Sequence, residues 1–335
     1  MSEPHSENCC FCGLGRSLKT VVVSGMPFFL AAFLFILILN QQYHSQGIPN
    51  DWPQTAARLQ TLLSGDADQK RSALFEIRSL RSPNASRLAV PALKDADEIV
   101  RAAAAAAIVF GDGEEAKDML LPLLNDKRPF VRREAAFALG MIRHSGASAA
   151  LRRSLLVDRD KEVRASAAMA LGEIADASAL EDLLSLLAKR PREDEEFIRR
   201  AAARAVGQIF EMHHTGRSAA VTPQNFLPPK SKDTAAFRKA PPLSSDVSRT
   251  LAVLSDIVRN SGDADDTRRE AAFALGALRQ PPAEPVLRGC FNSKDPYLAE
   301  ICREGLLKLQ DLEQRVHPTG ILPAGFFSEF FAFGP

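Results

Sequence analysis

Six arginines recur along the chain at almost even spacing: Arg71, Arg101, Arg132, Arg164, Arg199 and Arg268, with Ala299 in the seventh place. A row of guanidinium groups could grip phosphates, because each presents a planar fork of donors. It could instead hold the protein together, by bonding from one copy of a repeated unit to the next. On a helical wheel Arg164 falls at the margin of an apolar stripe, where an adjacent copy would pack. That position favours structural bonding over phosphate capture.

The other reactive side chains make no catalytic constellation. His5, His44, His144, His213, His214 and His317 are the histidines, and only His213 and His214 are adjacent. Neighbours on a helix point about 100° apart, a poor start for a metal site. The sequence has no G-x-S-x-G element, phosphate loop or metal-spaced carboxylates. Cys9, Cys10 and Cys12 cluster near the start and suit free thiols or lipidation, whereas Cys290 and Cys302 sit far away. The last two fall on the two helices of one hairpin, out of register, so free buried thiols are expected there. No catalytic residue, metal site or cofactor is expected.

The elements that carry these residues are repeated units. Successive ladder positions are separated by 30, 31, 32, 35, 69 and 31 residues. A period near 31 predicts a stacked array of supersecondary units, not one globular core. Each unit holds two helical runs, such as Ser148–Val157 followed by Asp160–Ile174. In the second run Val163, Ala167, Ala170, Leu171 and Ile174 form one apolar stripe. Asp160 is placed to cap that helix, and Gly172 thins its opposite side for close packing. A lone hairpin has nothing to bury its stripe against; stacked neighbours supply it.

The recurring pattern D-x-x-V-R-x-x-A-A-x-A-L-G resembles the HEAT repeat, in the short bacterial form also found in phycobilin lyase subunits. It stands in Asp97–Arg101, in Val131–Gly140 and in Arg268–Gly276. The resemblance covers roughly residues 54–312 and implies an all-α, α-α superhelix of about seven helical hairpins. It implies that Asp and Arg bond between neighbouring repeats, and that second helices line the concave side. Some relatives are enzymes, namely bilin lyases and deoxyhypusine hydroxylase, whose two irons are held by His-Glu pairs. This chain contains no His-Glu dipeptide.

Positions one and five after the ladder arginine vary between copies and point away from the stripe. They place Arg133, Phe137, Met169, Arg200, Arg204, Arg269 and Phe273 in one basic, aromatic and sulfur-bearing strip. Arginine and aromatic side chains are frequent interface anchors, so the strip is the expected partner-binding face. The plainer alternative is inter-repeat packing for the phenylalanines and solvated cations for the arginines.

Outside the repeats, Thr20–Leu39 carries no charge and is long enough for a bilayer core of roughly 30 Å. It is expected to be an uncleaved transmembrane helix after a short tail (1–19) and before a linker (40–53). Arg16 and Lys19 precede it and no cation follows until Arg58, which predicts a cytoplasmic N-terminus and a solenoid on the outer side. A basic, proline-rich insertion at 212–243 accounts for the doubled interval. A tail at 313–335 carries Phe326, Phe327, Phe330, Phe331 and Phe333.

With 46% hydrophobic and 25% charged residues the chain can bury ample apolar surface, and a net charge of +1 gives no field to recruit nucleic acid. The expected function is a membrane-anchored, non-catalytic scaffold that binds a protein partner on its concave face. The alternative is a bilin-lyase-like or deoxyhypusine-hydroxylase-like (oxidoreductase) enzyme.

Overall fold

The computed structural model describes residues 51–217 and 247–316, which form fourteen α-helices and no strand. First helices alternate with second helices along the chain. The first helices are α1 (Trp52–Leu63), α3 (Pro83–Leu88), α5 (Gly113–Leu120), α7 (Ser148–Val157), α9 (Leu180–Leu187), α11 (Val247–Arg259) and α13 (Glu284–Gly289). The second helices are α2 (Ala67–Ser79), α4 (Glu98–Ile108), α6 (Pro129–Ile142), α8 (Lys161–Ile174), α10 (Glu196–Thr215), α12 (Asp265–Leu278) and α14 (Pro296–Val316). The result is the all-helical solenoid that the repeat period requires.

Local chemistry sets the helix ends. Asp97 accepts hydrogen bonds from the N–H groups of Ile99 and Val100, and Asp160 from those of Glu162 and Val163. Asp66 and Gln69 cap each other reciprocally at the start of α2. These bonds satisfy backbone donors that a helix start leaves open. At the other end Arg143, Ala175 and Arg279 take left-handed backbone angles that stop α6, α8 and α12.

The second helices stack through their smallest residues. A Cβ built on Gly140 would lie 2.7 Å from the Ala170 Cα, and one on Gly172 would lie 2.7 Å from the Ala205 Cα. Between Gly276 and the Gly305 Cα the corresponding distance is 2.6 Å. Backbones therefore touch where any side chain would hold them apart. Behind this row Val163, Ala167, Leu171 and Ile174 are buried with Leu151 and Leu155 of α7, as the stripe predicts.

Charge then ties repeat to repeat. Arg101 holds Asp126 through two bonds of 2.9 and 3.0 Å, and Arg132 holds Asp158 at 2.7 and 2.8 Å. Arg199 holds Asp263 in the same forked manner. Arg164 and Arg268 depart from the expected pairing: Arg164 donates to the Leu155 carbonyl and Arg268 to the Val258 carbonyl, each inside its own hairpin. The paired aspartates follow Arg101 and Arg132 by 25 and 26 residues. At those distances from Arg164 stand Lys189 and Arg190, so no carboxylate awaits it.

The first copy is shifted by one residue from its sequence alignment. Lys70, not Arg71, reaches the next repeat's Asp95 at 2.7 Å, and Ala73, Leu74 and Ile77 are buried in that register. Arg71 turns back to Asp68 on its own helix.

Two expectations are corrected. Cys290 and Cys302 are not free thiols: they form a disulfide across the last hairpin, with Cα atoms 6.3 Å apart. That separation lies within bridging range, because the turn brings the end of α13 beside the second turn of α14. The single-pass membrane placement, N-terminus cytoplasmic and solenoid on the outer side, is also not supported. Among the described residues no helix is long and apolar enough to cross a membrane. The two longest, α10 and α14, carry charge throughout, as Glu196, Arg199, Arg200, Arg204 and Glu211 do in α10. The 20–39 segment lies outside the described residues, as do Cys9, Cys10, Cys12, most of the 212–243 insertion and the phenylalanine-rich tail. Met212–Thr215, counted with the insertion in the sequence, complete α10.

Candidate interaction surface

The face of the second helices turned away from the first-helix row is built by helical spacing. On α6, Phe130, Arg133, Phe137 and Met141 follow one another at three- and four-residue steps and share one side. Phe197, Arg200 and Arg204 do the same on α10. Phe130, Phe137, Met141 and Phe197 all remain exposed, Phe197 by 54%. Between α6 and α10, Arg133, Glu134, Phe137, Glu162, Ser166 and Phe197 enclose a cleft of about 460 Å³.

The cleft mixes aromatic walls with paired charge. Arg133 reaches Glu162 at 2.6 Å and Glu134 at 3.3 Å, and its guanidinium lies 4.9 Å from the centre of the Phe130 ring. Such a cation over an aromatic face is attracted by the ring's negative quadrupole. These contacts fix Arg133 as part of the wall.

A second cluster lies one repeat along. Arg200 pairs with Asp266 at 2.8 Å, and Glu270 sits 3.8 Å from Arg200 and 3.7 Å from Arg204. Glu270 is only 3% exposed, and among the described residues its Oε2 has no hydrogen-bond partner. Burial pushes its carboxyl up to about 7, against the opposing pull of Arg204 and Arg200. Arg269 is occupied by Asp295 and Asp266 and lies 5.2 Å from the Tyr297 ring centre.

The predicted strip is therefore divided. Arg133 and Phe137 meet in the cleft; Arg200, Arg204 and Arg269 gather around Asp266 and Glu270. Met169 is half-buried against the core on α8. Phe273 leaves the surface: it is 6% exposed, fills the space above Gly207, and lies beneath the Lys308 ammonium at 4.7 Å. A Cβ on Gly207 would stand 2.6 Å from the Phe273 ring, so that glycine makes the room.

Sequence reasoning missed Phe130, Phe197 and Tyr297. They occupy the position two residues before the ladder residue, one turn from Arg133, Arg200 and Glu300 on the same face. That position reads Gln69, Ile99, Phe130, Glu162, Phe197, Asp266 and Tyr297 across the copies, and its variability was the available signal. It missed Phe75 because of the one-residue shift in the first copy. In the structural register Phe75 takes the place of Phe137, and it is 76% exposed. Glu270 gave no signal, because its position is alanine or another small residue in most copies.

Arg101, Arg132 and Arg199, whose side chains are at most 15% exposed, are not available to phosphate. Besides their aspartates, Arg101 and Arg132 donate to the carbonyls of Asp95 and Asp126, and Arg199 to those of Leu187 and Lys189. His213 and His214 meet edge to face, with burial, Arg279 and the neighbouring His213 lowering the pKa of His214. Among the described residues no three His, Cys, Asp or Glu side chains gather as a metal site would need.

A family model described as HEAT repeats matches residues 55–140, 89–167 and 153–222, and one described as PBS lyase HEAT-like repeat matches 267–293. Deoxyhypusine hydroxylase of Arabidopsis thaliana is 37% identical over 108 residues, which are 32% of this chain but only 34% of that relative. Deoxyhypusine hydroxylase-B of Oryza sativa subsp. japonica is 26% identical over 273 residues, 71% of this chain and 86% of the relative. Among solved structures, the archaeal HEAT-like repeats protein from Thermococcus onnurineus NA1 aligns with a TM-score of 0.47 at 13% identity, over 77% of this chain and 97% of its own.

Proposed function

From the premise that the chain belongs to the HEAT-repeat family, we propose that it is a non-catalytic scaffold that binds a protein partner on the concave face of its second helices. The observation that carries this reading is the cleft between α6 and α10, where Phe137 and Phe197 stand exposed beside Arg133. Large aromatic side chains exposed next to a guanidinium are what an interface uses as anchors. Close backbone contact at Gly140, Gly172 and Gly276 lets the second helices pack at short range. A row that packs closely sits on the inner side when a stack curves, which supports the concave placement.

A hydroxylase-like enzyme draws support from the names of two relatives. It would need the His-Glu pairs that hold iron in that resemblance, and the sequence contains none. The chemistry of the residues present favours the scaffold.

A photo-crosslinking amino acid placed at Phe137 or Phe197 of the full chain tests the reading in cells. One discrete crosslinked protein is expected from these sites and none from Leu156 or Val157, which are exposed on the first-helix row. Crosslinking confined to residues 156 and 157 would overturn the proposal.

A further inference from the structure

The cluster around Glu270 has a property the aromatic cleft lacks. Arg200 and Arg204 lie on α10, one and two turns beyond Phe197 on the same face. Each is more than a third exposed, at 43% and 38% of the side chain. Beneath them Glu270 is buried, and its contacts with them, 3.8 and 3.7 Å, are too long for hydrogen bonds. Among the described residues its second oxygen has no hydrogen-bond partner. A buried carboxylate so poorly satisfied carries a heavy desolvation cost when ionised. Protonation removes that cost and releases both guanidinium groups from the carboxylate they share.

We propose that Arg200 and Arg204 form a carboxylate-binding site for an acidic segment of the partner, with Glu270 as the site's built-in competitor. The inference rests on the docking face proposed above and names the chemistry of what docks there: an apolar anchor at Phe137 and Phe197 followed by acidic residues. An external carboxylate offers the two guanidinium groups short, charge-assisted bonds that Glu270 does not make. When it binds, Glu270 loses its stabilising neighbours and takes up a proton. Binding of the acidic segment and protonation of Glu270 are therefore linked, each favouring the other.

Among the described residues, the charges packed around Glu270 are engaged with one another. On α12 itself Asp266 is engaged by Arg200 and Arg269. From α14, on the other flank, Glu300 pairs with Arg303, Lys308 pairs with Glu211, and Glu304 has contacts of its own. On the first-helix side, Arg249 of α11 pairs with Glu181, and Glu284 of α13 with Arg288. With a carboxyl titrating at about 7, the protonated fraction of Glu270 rises from about a tenth at pH 8 to about nine tenths at pH 6. The carboxylates of an acidic peptide stay ionised over that range.

The test uses the full chain and rhodamine-labelled hexaglutamate, with fluorescence anisotropy read at pH 6, 7 and 8. Affinity is expected to rise several-fold, up to roughly tenfold, from pH 8 to pH 6. Glu270→Gln is expected to bind at every pH as the unaltered chain binds at pH 6. Arg200→Gln with Arg204→Gln is expected to abolish binding at pH 6, where Glu270 is protonated and no longer depends on the two guanidinium groups, so the helical circular dichroism there should stay that of the parent. Hexalysine should not bind. Binding that ignores both pH and Glu270→Gln would overturn the competitor role, and equal binding of an oligouridylate would reassign the site to phosphate. Either result leaves crosslinking at Phe137 and Phe197 untouched, so failure here is distinct from failure of the docking face.

Discussion

Arg199 and Asp263 face each other as a forked ion pair, each side chain 3% exposed, across 64 residues of sequence. They complete the same repeat-to-repeat contact that Arg101 and Asp126 make across 25 residues. The longer separation is spent on an insertion that leaves the stack unbroken. The Arg199 guanidinium is further satisfied by the Leu187 and Lys189 carbonyls, so hardly any of its donors is wasted.

Removing one partner of such a pair strands the other charge in the interior. Arg199→Ala is expected to destabilise the chain by about 3–5 kcal/mol. Arg199→Met with Asp263→Leu should recover much of that loss, since a buried pair contributes little over well-packed apolar residues. Thermal melts of the single and double variants check this. A single variant that melts with the parent would show the contact to be dispensable.

Glu270 predicts a pH dependence of the opposite sign to that of a salt-bridged carboxylate. Its carboxyl is raised in the folded state from 4.5 to about 7, so the folded chain binds the proton more tightly than the unfolded chain. Its contribution is most favourable below the unfolded value and is lost as pH rises through about 7. Glu270→Gln is expected to be more stable than the parent at pH 8, by on the order of 3 kcal/mol at most. The two should converge near pH 4.5, and parallel denaturant titrations across that range give the answer. Asp126 and Asp158 behave conventionally. Burial pushes each up, but Arg101 and Arg132 outweigh it and hold them below the ordinary carboxylate value. Their stabilisation is present above about pH 4 and is lost as pH falls further.

The glycine contacts can be read one at a time. Gly172→Ala would set a methyl 2.7 Å from the Ala205 Cα, and backbone there has no flexible end to yield. A loss of about 1–3 kcal/mol is expected despite alanine's better helix propensity. Gly289→Ala meets nothing within 4 Å among the described residues and should instead gain about 0.5–1 kcal/mol. Equal melting temperatures for the two would remove close backbone packing from the account.

Much of the architecture was legible because the repeat states it many times over. The stripe from Val163 to Ile174, the Asp160 cap and the close approach at Gly172 each follow from residue type and helical spacing. What escaped depended on single copies. Lys70 replaces Arg71 because register is set by which side chain meets the next aspartate, and a one-letter alignment does not see that meeting. Phe273 goes inward because Gly207 on the neighbouring repeat leaves it room, a relationship between residues far apart in sequence. The Cys290–Cys302 bridge depends on how tightly one turn closes. The surface was legible only by halves: positions one and five revealed Arg133 and Phe137, while Phe130 and Phe197 were hidden one turn before the pattern begins.

The central claim is that a protein partner docks on the second-helix face at Phe137 and Phe197. Its most direct test is the dissociation constant of the partner crosslinked at residue 137, measured against the full chain and against Phe137→Ala with Phe197→Ala. Truncating two anchor side chains is expected to weaken binding by roughly 30-fold or more, at 2 kcal/mol or above for a hot spot. The melting temperature should fall by only a few degrees, because Phe197 is 54% and Phe137 37% exposed. An unchanged dissociation constant in the doubly substituted chain would contradict the account and leave the aromatic cleft without a role in binding.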